Sequence, residues 1–396
     1  MISSEAVAVQ HIPENTVDLA HVTDEQIDQA INGLIEMAEG SHPDIVREPG
    51  LFLTDPDLEK IRTFVRHADS LPYTESEVIS YLGYSDGFIK GLEPRDFKNL
   101  YGEIHNTAQF WETAETHMQA AAATFITFHT ELKSLSADIF AHPLMRGASA
   151  EENSVGDVSA LETGLVHGQL PSLIELTGEL LTTVESHRKT AARVRNLLTS
   201  FRKGLRSIKD DVYLMRQRVV SNESGDLLLQ LQERVDLLDQ RIQERRKTYD
   251  TYTDYIWVGA WWGPIGLIIS GTIYGIKASE VKAEFTALIE DKKALDAQLS
   301  NLNKGIGALL GLETDLENLE LLTNEALNGA ANIEQTWITL YQHIVDSVER
   351  LKDTTTTTRL FIFKSRISGM LKHWEAVSEK AKKLMTSLAQ HNLILP

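Results

Sequence analysis

The sequence has no cysteine and comparatively little basic charge. Among its 396 residues, Lys and Arg total 38 against 57 Asp and Glu, so the formal net charge is -19 at pH 7. The absence of cysteine excludes disulfides, thiolate metal ligands and a cysteine nucleophile. The acidic balance argues against nucleic acid as a partner, because nucleic-acid affinity rests on basic residues that neutralise phosphates. Hydrophobic residues still make up 42% of the chain, enough for a large core.

Catalytic motifs are also absent from the sequence. It contains no HExxH, GxSxG, P-loop or EF-hand pattern. The glycines of GIGALLG, at 305–311, resemble a dinucleotide fingerprint only superficially, so we interpret them as a break between two helices. The many Glu and Asp residues are interpreted as solvated positions of amphipathic helices. We therefore expect no enzymatic activity, no cofactor and no metal site.

The first twenty residues give no sign of a secretory signal. They have neither a basic n-region nor an apolar h-region. If the protein leaves its cell, we expect it to do so by a leaderless route or by lysis.

Helical periodicity dominates the chain, without a convincing strand pattern or a βαβ alternation. Pro94 begins a predicted helix of about forty residues, far longer than the ordinary mean. A break with turn residues is predicted over 143–171, and a second long helix from Ser172 to about Ser221. Residues 1–50 are predicted to be a loosely structured arm. The predicted fold class is all-α.

Two heptad seams flank the centre of the chain. The first arm, Asp226–Asp254, and the second, Lys277–Leu309, have matched lengths of 29 and 33 residues. Only Arg245 interrupts the first seam and only Lys292 the second. Spacings of three and four residues are typical of coiled coils, so the two arms predict an antiparallel hairpin, each arm roughly 45 Å long. The predicted seam residues are Leu228, Leu231, Val235, Leu238 and Ile242 on the first arm, and Phe285, Leu288, Leu295, Leu299 and Leu302 on the second.

The stretch between the arms, YIWVGAWWGPIGLIISGTIYGI at 255–276, has 22 residues and no charge. As a single helix it would span about 33 Å, just enough for a bilayer core of about 30 Å. Its five glycines and Pro264 argue against one continuous helix. The turn signal WWGPIG predicts two halves of about ten residues, neither of which crosses a bilayer alone. A tip of this kind would enter one leaflet or lie at the interface.

Aromatic and basic residues around this stretch favour contact with lipid. Trp and Tyr prefer the headgroup boundary, and Lys or Arg beside them can reach lipid headgroups. We predict lipid contact for Tyr255, Ile256, Trp257, Val258, Trp261, Trp262, Pro264, Ile265, Leu267, Ile268, Ile269, Ile273, Tyr274 and Ile276, and interfacial positions for Arg245, Arg246, Lys247 and Lys277. Away from lipid, so apolar a patch must be shielded by the bundle or by a partner. Two other interpretations stay open, a buried core hairpin that never meets a membrane and a permanent membrane anchor.

Two regions resemble the α-pore-forming toxins of the cytolysin A type, and more closely the A component of the two-part α-xenorhabdolysin (Xax/Yax) toxins. Residues Leu51–Trp111, which include LFLTDPDLEKIRTFVRHADSLP, EVISYLGY and GLEPRDFKNLYGEIHNTAQFW, are similar to the N-terminal tail-domain signature of that family. GPIGLIISGTIYGIKAS, at Gly263–Ser279, stands in the place of the family's hydrophobic head.

The resemblance implies an elongated multi-helix bundle, with a tail formed by 51–225 and 312–396 and a coiled-coil neck and head over 226–311. It also implies a B component, with which the chain assembles into a hetero-oligomeric ring in the bilayer of a target cell. Such a protein is soluble before attack and membrane-bound afterwards. Because 255–276 is apolar all round, the sequence favours lipid anchoring over pore lining. The alternative function is a membrane-anchored coiled-coil scaffold or sensor without lytic activity.

Overall fold

The computed structural model describes residues 36, 52–53, 55–82, 92–146, 161–220, 226–261, 281, 283–295, 304–352 and 357–392. Every regular element within these ranges is an α-helix, which confirms the predicted all-α class. The helices are α1 (Asp55–Ser70), α2 (Glu75–Leu82), α3 (Pro94–Ala141), α4 (Pro143–Arg146), α5 (Leu161–Val220), α6 (Asp226–Trp261), α7 (283–295), α8 (Lys304–Lys352) and α9 (Thr357–Asn392).

Helices α3, α5, α8 and α9 form a four-helix bundle in which each helix packs on two others. Residue numbers rise on one helix as they fall on its neighbour, so neighbouring helices run antiparallel. The contacts that establish this are Arg218–Asp96 and His187–Glu131 between α5 and α3, Arg216–Glu313 and Arg195–Glu334 between α5 and α8, and Arg366–Asp346 and Trp374–Trp337 between α9 and α8.

Aromatic rings fill the centre of the bundle. Phe125 and Phe128 from α3 meet Trp337 from α8 and Trp374 from α9, and all four side chains are buried. The Phe128 and Trp374 ring centroids lie 4.8 Å apart, and those of Trp337 and Trp374 lie 5.0 Å apart. The indole of Trp374 also donates to the Phe125 carbonyl oxygen at 3.2 Å. Large buried aromatics contribute strongly to core stability, so this cluster ties three of the four helices together.

The beginning of α3 follows the sequence prediction. Pro94 occupies the first turn, and a capping box joins Glu93 and Asp96, so the first backbone N–H groups are satisfied. Helices α1 and α2 pack on α3. Arg62 of α1 binds Glu115 of α3 through two guanidinium nitrogens, one of them at 2.9 Å.

The predicted break over 143–171 is too long. Helix α4 occupies Pro143–Arg146, and α5 already begins at Leu161, so Pro171 lies inside α5. A proline within a helix loses one backbone hydrogen bond and costs about 3 kcal/mol. The buried side chains of Leu170 and Leu173 beside it offset that cost by packing into the core.

The interpretation of GIGALLG as a break between helices is wrong. Helix α8 begins at Lys304 and contains all three glycines, so Leu309 belongs to α8 and not to the second hairpin arm. Glycine in a helix costs about 1 kcal/mol relative to alanine. Leu309 and Leu310 are both buried, and their burial offsets part of this cost.

Candidate functional site: the central hairpin and its contact with the bundle

Helices α6 and α7 are the described arms of the central hairpin, and they pack against each other. Arg245 Nε on α6 lies 2.9 Å from Glu284 Oε2 on α7, and Asp239 Oδ1 on α6 lies 2.5 Å from Lys292 Nζ on α7. The lower-numbered residue on one arm meets the higher-numbered residue on the other, which confirms the predicted antiparallel pairing. The midpoint of each pair along the sequence falls between residues 264 and 266, inside the uncharged stretch.

The predicted seam residues differ in their burial. Leu231, Val235, Ile242, Phe285 and Leu295 are buried, and Leu238 and Leu288 are half-buried. The side chains of Leu228, Leu299 and Leu302 lie outside those that the structure describes. Ile289, which lies outside the predicted seam, and Lys292, which was predicted to interrupt it, are both fully buried. Lys292 therefore does not interrupt the packed face of α7 but forms part of it.

The structure describes only part of the predicted lipid-contact set. Tyr255, Ile256, Trp257, Val258 and Trp261 lie in the last turns of α6, where the backbone alone is described. Trp262, Pro264, Ile265, Leu267, Ile268, Ile269, Ile273, Tyr274, Ile276 and Lys277 lie outside the described residues. No helix, as far as the chain is described, is both long and apolar enough to cross a membrane.

The basic residues that flank the stretch take different positions. Arg245 and Lys247 are exposed, and Arg245 pairs with Glu284. Arg246 instead turns toward the bundle, where its Nη1 donates to Glu320 Oε2 of α8 at 2.9 Å. In this conformation Arg246 is a contact of the hairpin with the bundle.

The hairpin arms lie alongside α5 and α8. Along α6 from Asp239 to Arg246, the partners change from Arg216 of α5 to Glu320 of α8, and Glu320 itself contacts Arg206 of α5. The contacts therefore move away from the C-terminus of α5 as α6 proceeds. Helix α6 consequently runs back along the bundle from the end at which it begins.

Among the side chains that the structure describes, apolar packing between the hairpin and the bundle forms two groups. Leu231, Val235 and Leu295 join the main core near the base of the hairpin. Farther along, Ile242, Val281, Phe285 and Ile289 form a small separate cluster to which α8 contributes Leu321. Between these two apolar groups, charged side chains make the contact.

Ten charged side chains from four helices meet at this contact, and we call them the latch cluster. The cations are Arg206, Lys209 and Arg216 from α5, Arg246 from α6 and Lys292 from α7; the anions are Asp236 and Asp239 from α6 and Glu313, Glu317 and Glu320 from α8. Buried charges are costly unless they are paired, and five cations here face five anions. The interpretation of acidic residues as solvated positions is wrong for the three glutamates, which are all buried.

Lys292 and Arg216 are the central cations, and both side chains are fully buried. The Lys292 ammonium nitrogen lies 2.5 Å from Asp239, 3.0 Å from Glu313 and 3.5 Å from Glu317. Arg216 donates from Nη2 to Asp239 at 2.8 Å and from Nε to Glu313 at 3.0 Å. Asp239 and Glu313 thus each have two cations, whereas Glu317 has one distant contact.

Glu320 is the second centre of the latch cluster. Its carboxylate accepts from Arg246 at 2.9 Å, from Lys209 at 3.3 Å and from Arg206. Burial favours the neutral acid, but the three cations prevail and hold the pKa of Glu320 below its ordinary value.

The surroundings of Lys292 and Glu317 shift the pKa values of both side chains. Burial alone would lower the pKa of Lys292, but the carboxylates of Glu317, Glu313 and Asp239 raise it to about 12. Burial raises the pKa of Glu317 to about 7, against the opposing effect of Lys292 and Lys209. Lys292 lowers the pKa of Glu317 only in part, because it is shared among three carboxylates and lies farthest from Glu317.

Asp239, Glu313 and Glu317 bring carboxylate oxygens within 4.8 Å of one another, a geometry that would suit a metal ion. The Lys292 ammonium lies among these oxygens, so a side-chain cation already supplies the compensating charge. A signal for this cluster is present in the sequence, although the expectation of solvated acidic positions overlooks it. Glu313, Glu317 and Glu320 are spaced by four and three residues and share one face of α8, and Lys292 occupies a seam position on α7.

Taken together, these features define an all-α protein in which a long antiparallel hairpin, with an uncharged sequence between its arms, rests on a helical bundle through buried charges. No protein-family model and no curated protein matches the chain. Among solved structures, the chain is similar to YaxA from Yersinia enterocolitica, with 22% identity over 86% of this chain and 97% of that chain and a TM-score of 0.45.

Two further structures extend this comparison. XaxA from Xenorhabdus nematophila shares 17% identity over 86% of this chain and 98% of that chain, with a TM-score of 0.45. The YaxAB pore complex shares 22% identity over 87% of this chain and 100% of that chain, with a TM-score of 0.41. These structural neighbours match the Xax/Yax group that the sequence resembles, at low sequence identity.

Proposed function

We propose that this chain is a subunit of a two-component α-pore-forming toxin that binds a target-cell membrane through residues 255–276. The main observation behind the proposal is that α6 and α7 pair in antiparallel fashion on either side of this uncharged sequence. The ion pairs Arg245–Glu284 and Asp239–Lys292 fix the register of the two helices. The two arms form a stiff pair of helices that joins the segment to the bundle.

Elementary energetics support lipid as the destination of the segment. Full burial of one large apolar side chain contributes about 1.5–3 kcal/mol, and the segment contains ten Trp, Ile and Leu residues among its 22. Its aromatic residues suit the headgroup boundary. Because membrane binding is favourable only if lipid burial outweighs the lost soluble contacts, a weakly held hairpin favours conversion.

We propose a B component as the protein partner and a hetero-oligomeric ring as the assembly. This part of the proposal rests on the sequence resemblance of Leu51–Trp111 and Gly263–Ser279. The segment has no polar face along which water could pass, so we assign it to anchoring, with export by a leaderless route and no enzymatic role.

Liposome flotation tests the membrane-binding part of this proposal. Purified protein is mixed with liposomes in the absence of detergent, and the bound fraction is compared for the parent chain and the double variant Trp261→Asp with Ile268→Asp. We expect the parent chain to float and the double variant to stay in the soluble fraction, with its helical content unchanged, because two charges in the segment oppose burial in lipid.

The matched control places the same two changes on apolar side chains outside the segment. Leu214 of α5 and Leu237 of α6 are 51% and 56% exposed, so Leu214→Asp with Leu237→Asp should float like the parent. If the segment variant floated as much as the parent chain, residues 255–276 would not be the membrane anchor. Once binding is established, a haemolysis assay with candidate second proteins tests the two-component part.

A further inference from the structure

We propose that the latch cluster holds the hairpin reversibly along α5 and α8. Protonation of Glu317 strengthens this contact, and ionisation of Glu317 weakens it. The docking of the hairpin is a property of the free chain and can be measured without lipid. Its part in membrane attack rests on the proposed function.

The first argument is the chemistry of the contact. Apolar side chains hold both ends of the described contact, and buried ions make up its middle, where an apolar seam would hold the hairpin more firmly. Taking ions out of water costs several kcal/mol each, and pairing repays this only with good geometry, so a buried ion pair adds little net stability over apolar packing. When the hairpin moves away, the charges of its own arms regain water, and the pairs between α5 and α8 remain. A contact of this kind fixes one docked position of the hairpin, and its opening costs little free energy.

The second argument is a charge imbalance at the centre of the cluster. Lys292 and Arg216, both fully buried, supply two positive charges, and Asp239, Glu313 and Glu317 supply three negative charges, whereas Lys209 binds at the second centre, 3.3 Å from Glu320. Asp236, whose side chain is 39% exposed, lies at the rim, where water compensates its charge. One proton on Glu317 brings the centre to two positive and two negative charges.

The direction of the pH effect follows from linkage. Glu317 faces Lys292 from α7, Lys209 from α5, Asp239 from α6 and Glu313 from α8, and in this setting burial raises its pKa from 4.5 to about 7. A carboxyl whose pKa is raised in the docked state binds a proton there that it has lost in the open state. Docking is therefore tightest below the open-state pKa and weakens as the pH rises toward 7.

Glu320, a neighbouring carboxyl, limits the range over which this applies. Glu320 has the opposite behaviour, because its lowered pKa means that its pairing is lost only in stronger acid. The tightening is thus expected between about pH 5 and pH 7.

The absence of native cysteine allows a direct distance measurement. Cysteines introduced at Lys203 of α5 and Gln243 of α6, both exposed and outside the latch cluster, carry spin labels for pulsed electron paramagnetic resonance in lipid-free buffer. At about pH 5 we expect one short distance, and at about pH 8 a longer-distance population that has grown severalfold. In Glu317→Gln, which mimics the protonated acid, the short distance should dominate at both pH values.

A second variant tests the pairing itself. Lys292→Met leaves three buried carboxylates with Arg216 as their remaining central cation, so the longer-distance population should dominate even at low pH. Lys293→Met is the matched control, because that lysine is exposed and pairs with Glu290 on its own helix, so the control should behave like the parent. Circular dichroism verifies that each variant keeps its helical content.

Three results would overturn the proposal: one short distance in the parent at both pH values, a full pH response in Glu317→Gln, or equal distance distributions for Lys292→Met and Lys293→Met. If the Lys292 variant fails to fold, the parent and Glu317→Gln still decide the question. A latch that behaves as expected in a chain that never floats with liposomes would support this inference and reject the proposed membrane function. A chain that floats with liposomes but shows no pH-dependent change in distance would support the proposed membrane function and reject this inference.

Discussion

The close approach of α3 and α5 at Gly204 makes a sharp prediction about the stability of the bundle. A Cβ atom at Gly204 would lie 2.8 Å from Cγ2 and 3.0 Å from Cβ of Thr107 on α3, and closer still to Oγ1. Rotation of the threonine side chain moves Oγ1 and Cγ2 but leaves its own Cβ in place. We therefore expect Gly204→Ala to push the two helices apart.

The magnitude follows from two opposing effects. Overpacking of a tight contact costs about 1–3 kcal/mol, and replacing a helical glycine by alanine gains about 0.5–1 kcal/mol. Gly178 lies on the same helix, and a Cβ there would meet nothing within 4 Å, so Gly178→Ala should show the gain alone. The free energies of unfolding of the two alanine variants should differ by about 1–3 kcal/mol, with Gly204→Ala the less stable.

Urea unfolding followed by circular dichroism measures this difference. The Thr107→Ala background supplies a further check, because it removes the two nearest atoms and should reduce the penalty of Gly204→Ala. Equal stability of Gly204→Ala and Gly178→Ala would refute the reasoning, since it would mean that the helices are not in the close contact described.

Two more changes test the interior of the protein by the same unfolding assay. Arg216→Met should lower the free energy of unfolding by about 3–5 kcal/mol, because it removes a fully buried cation from Asp239 and Glu313. The control Arg218→Met, at the surface, should cost at most about 1 kcal/mol. Similar values for the two variants would contradict the buried pairing. Trp337→Ala should cost about 3–5 kcal/mol and weaken the near-ultraviolet circular dichroism, since Trp337 is fully buried among Phe125, Phe128 and Trp374; an unchanged spectrum would contradict the aromatic cluster.

Local patterns in the sequence predicted the elements whose determinants are local. The proline at the start of α3 and the spacing of apolar residues on α6 and α7 are readable because helix periodicity and the preference of proline for the first turn act over a few residues. The antiparallel pairing of the arms followed from two seams of matched length. The break at GIGALLG was wrong because burial of Leu309 and Leu310 outweighs the low helix propensity of glycine.

The latch cluster was not predicted because its partners are distant in the sequence. Lys292 breaks a heptad pattern when α7 is considered alone, and the glutamates of α8 look like a solvated face when α8 is considered alone. Only the placement of α7 against α8 brings Lys292 to within 3.5 Å of both Glu313 and Glu317. A charged residue in one seam, opposite acidic residues at helical spacing in a later helix, is the signal that would have indicated the contact.

Quenching of tryptophan fluorescence by lipids with brominated acyl chains tests the central claim most directly. Three of the six tryptophans, Trp257, Trp261 and Trp262, lie in the uncharged segment, and the other three, Trp111, Trp337 and Trp374, are buried in the bundle. If the segment enters lipid, brominated liposomes should quench about half of the emission, and a variant with phenylalanine at the three segment positions should lose this quenching while it still floats. If the bound protein emitted equally strongly with brominated and with ordinary liposomes, the result would contradict membrane insertion of the segment.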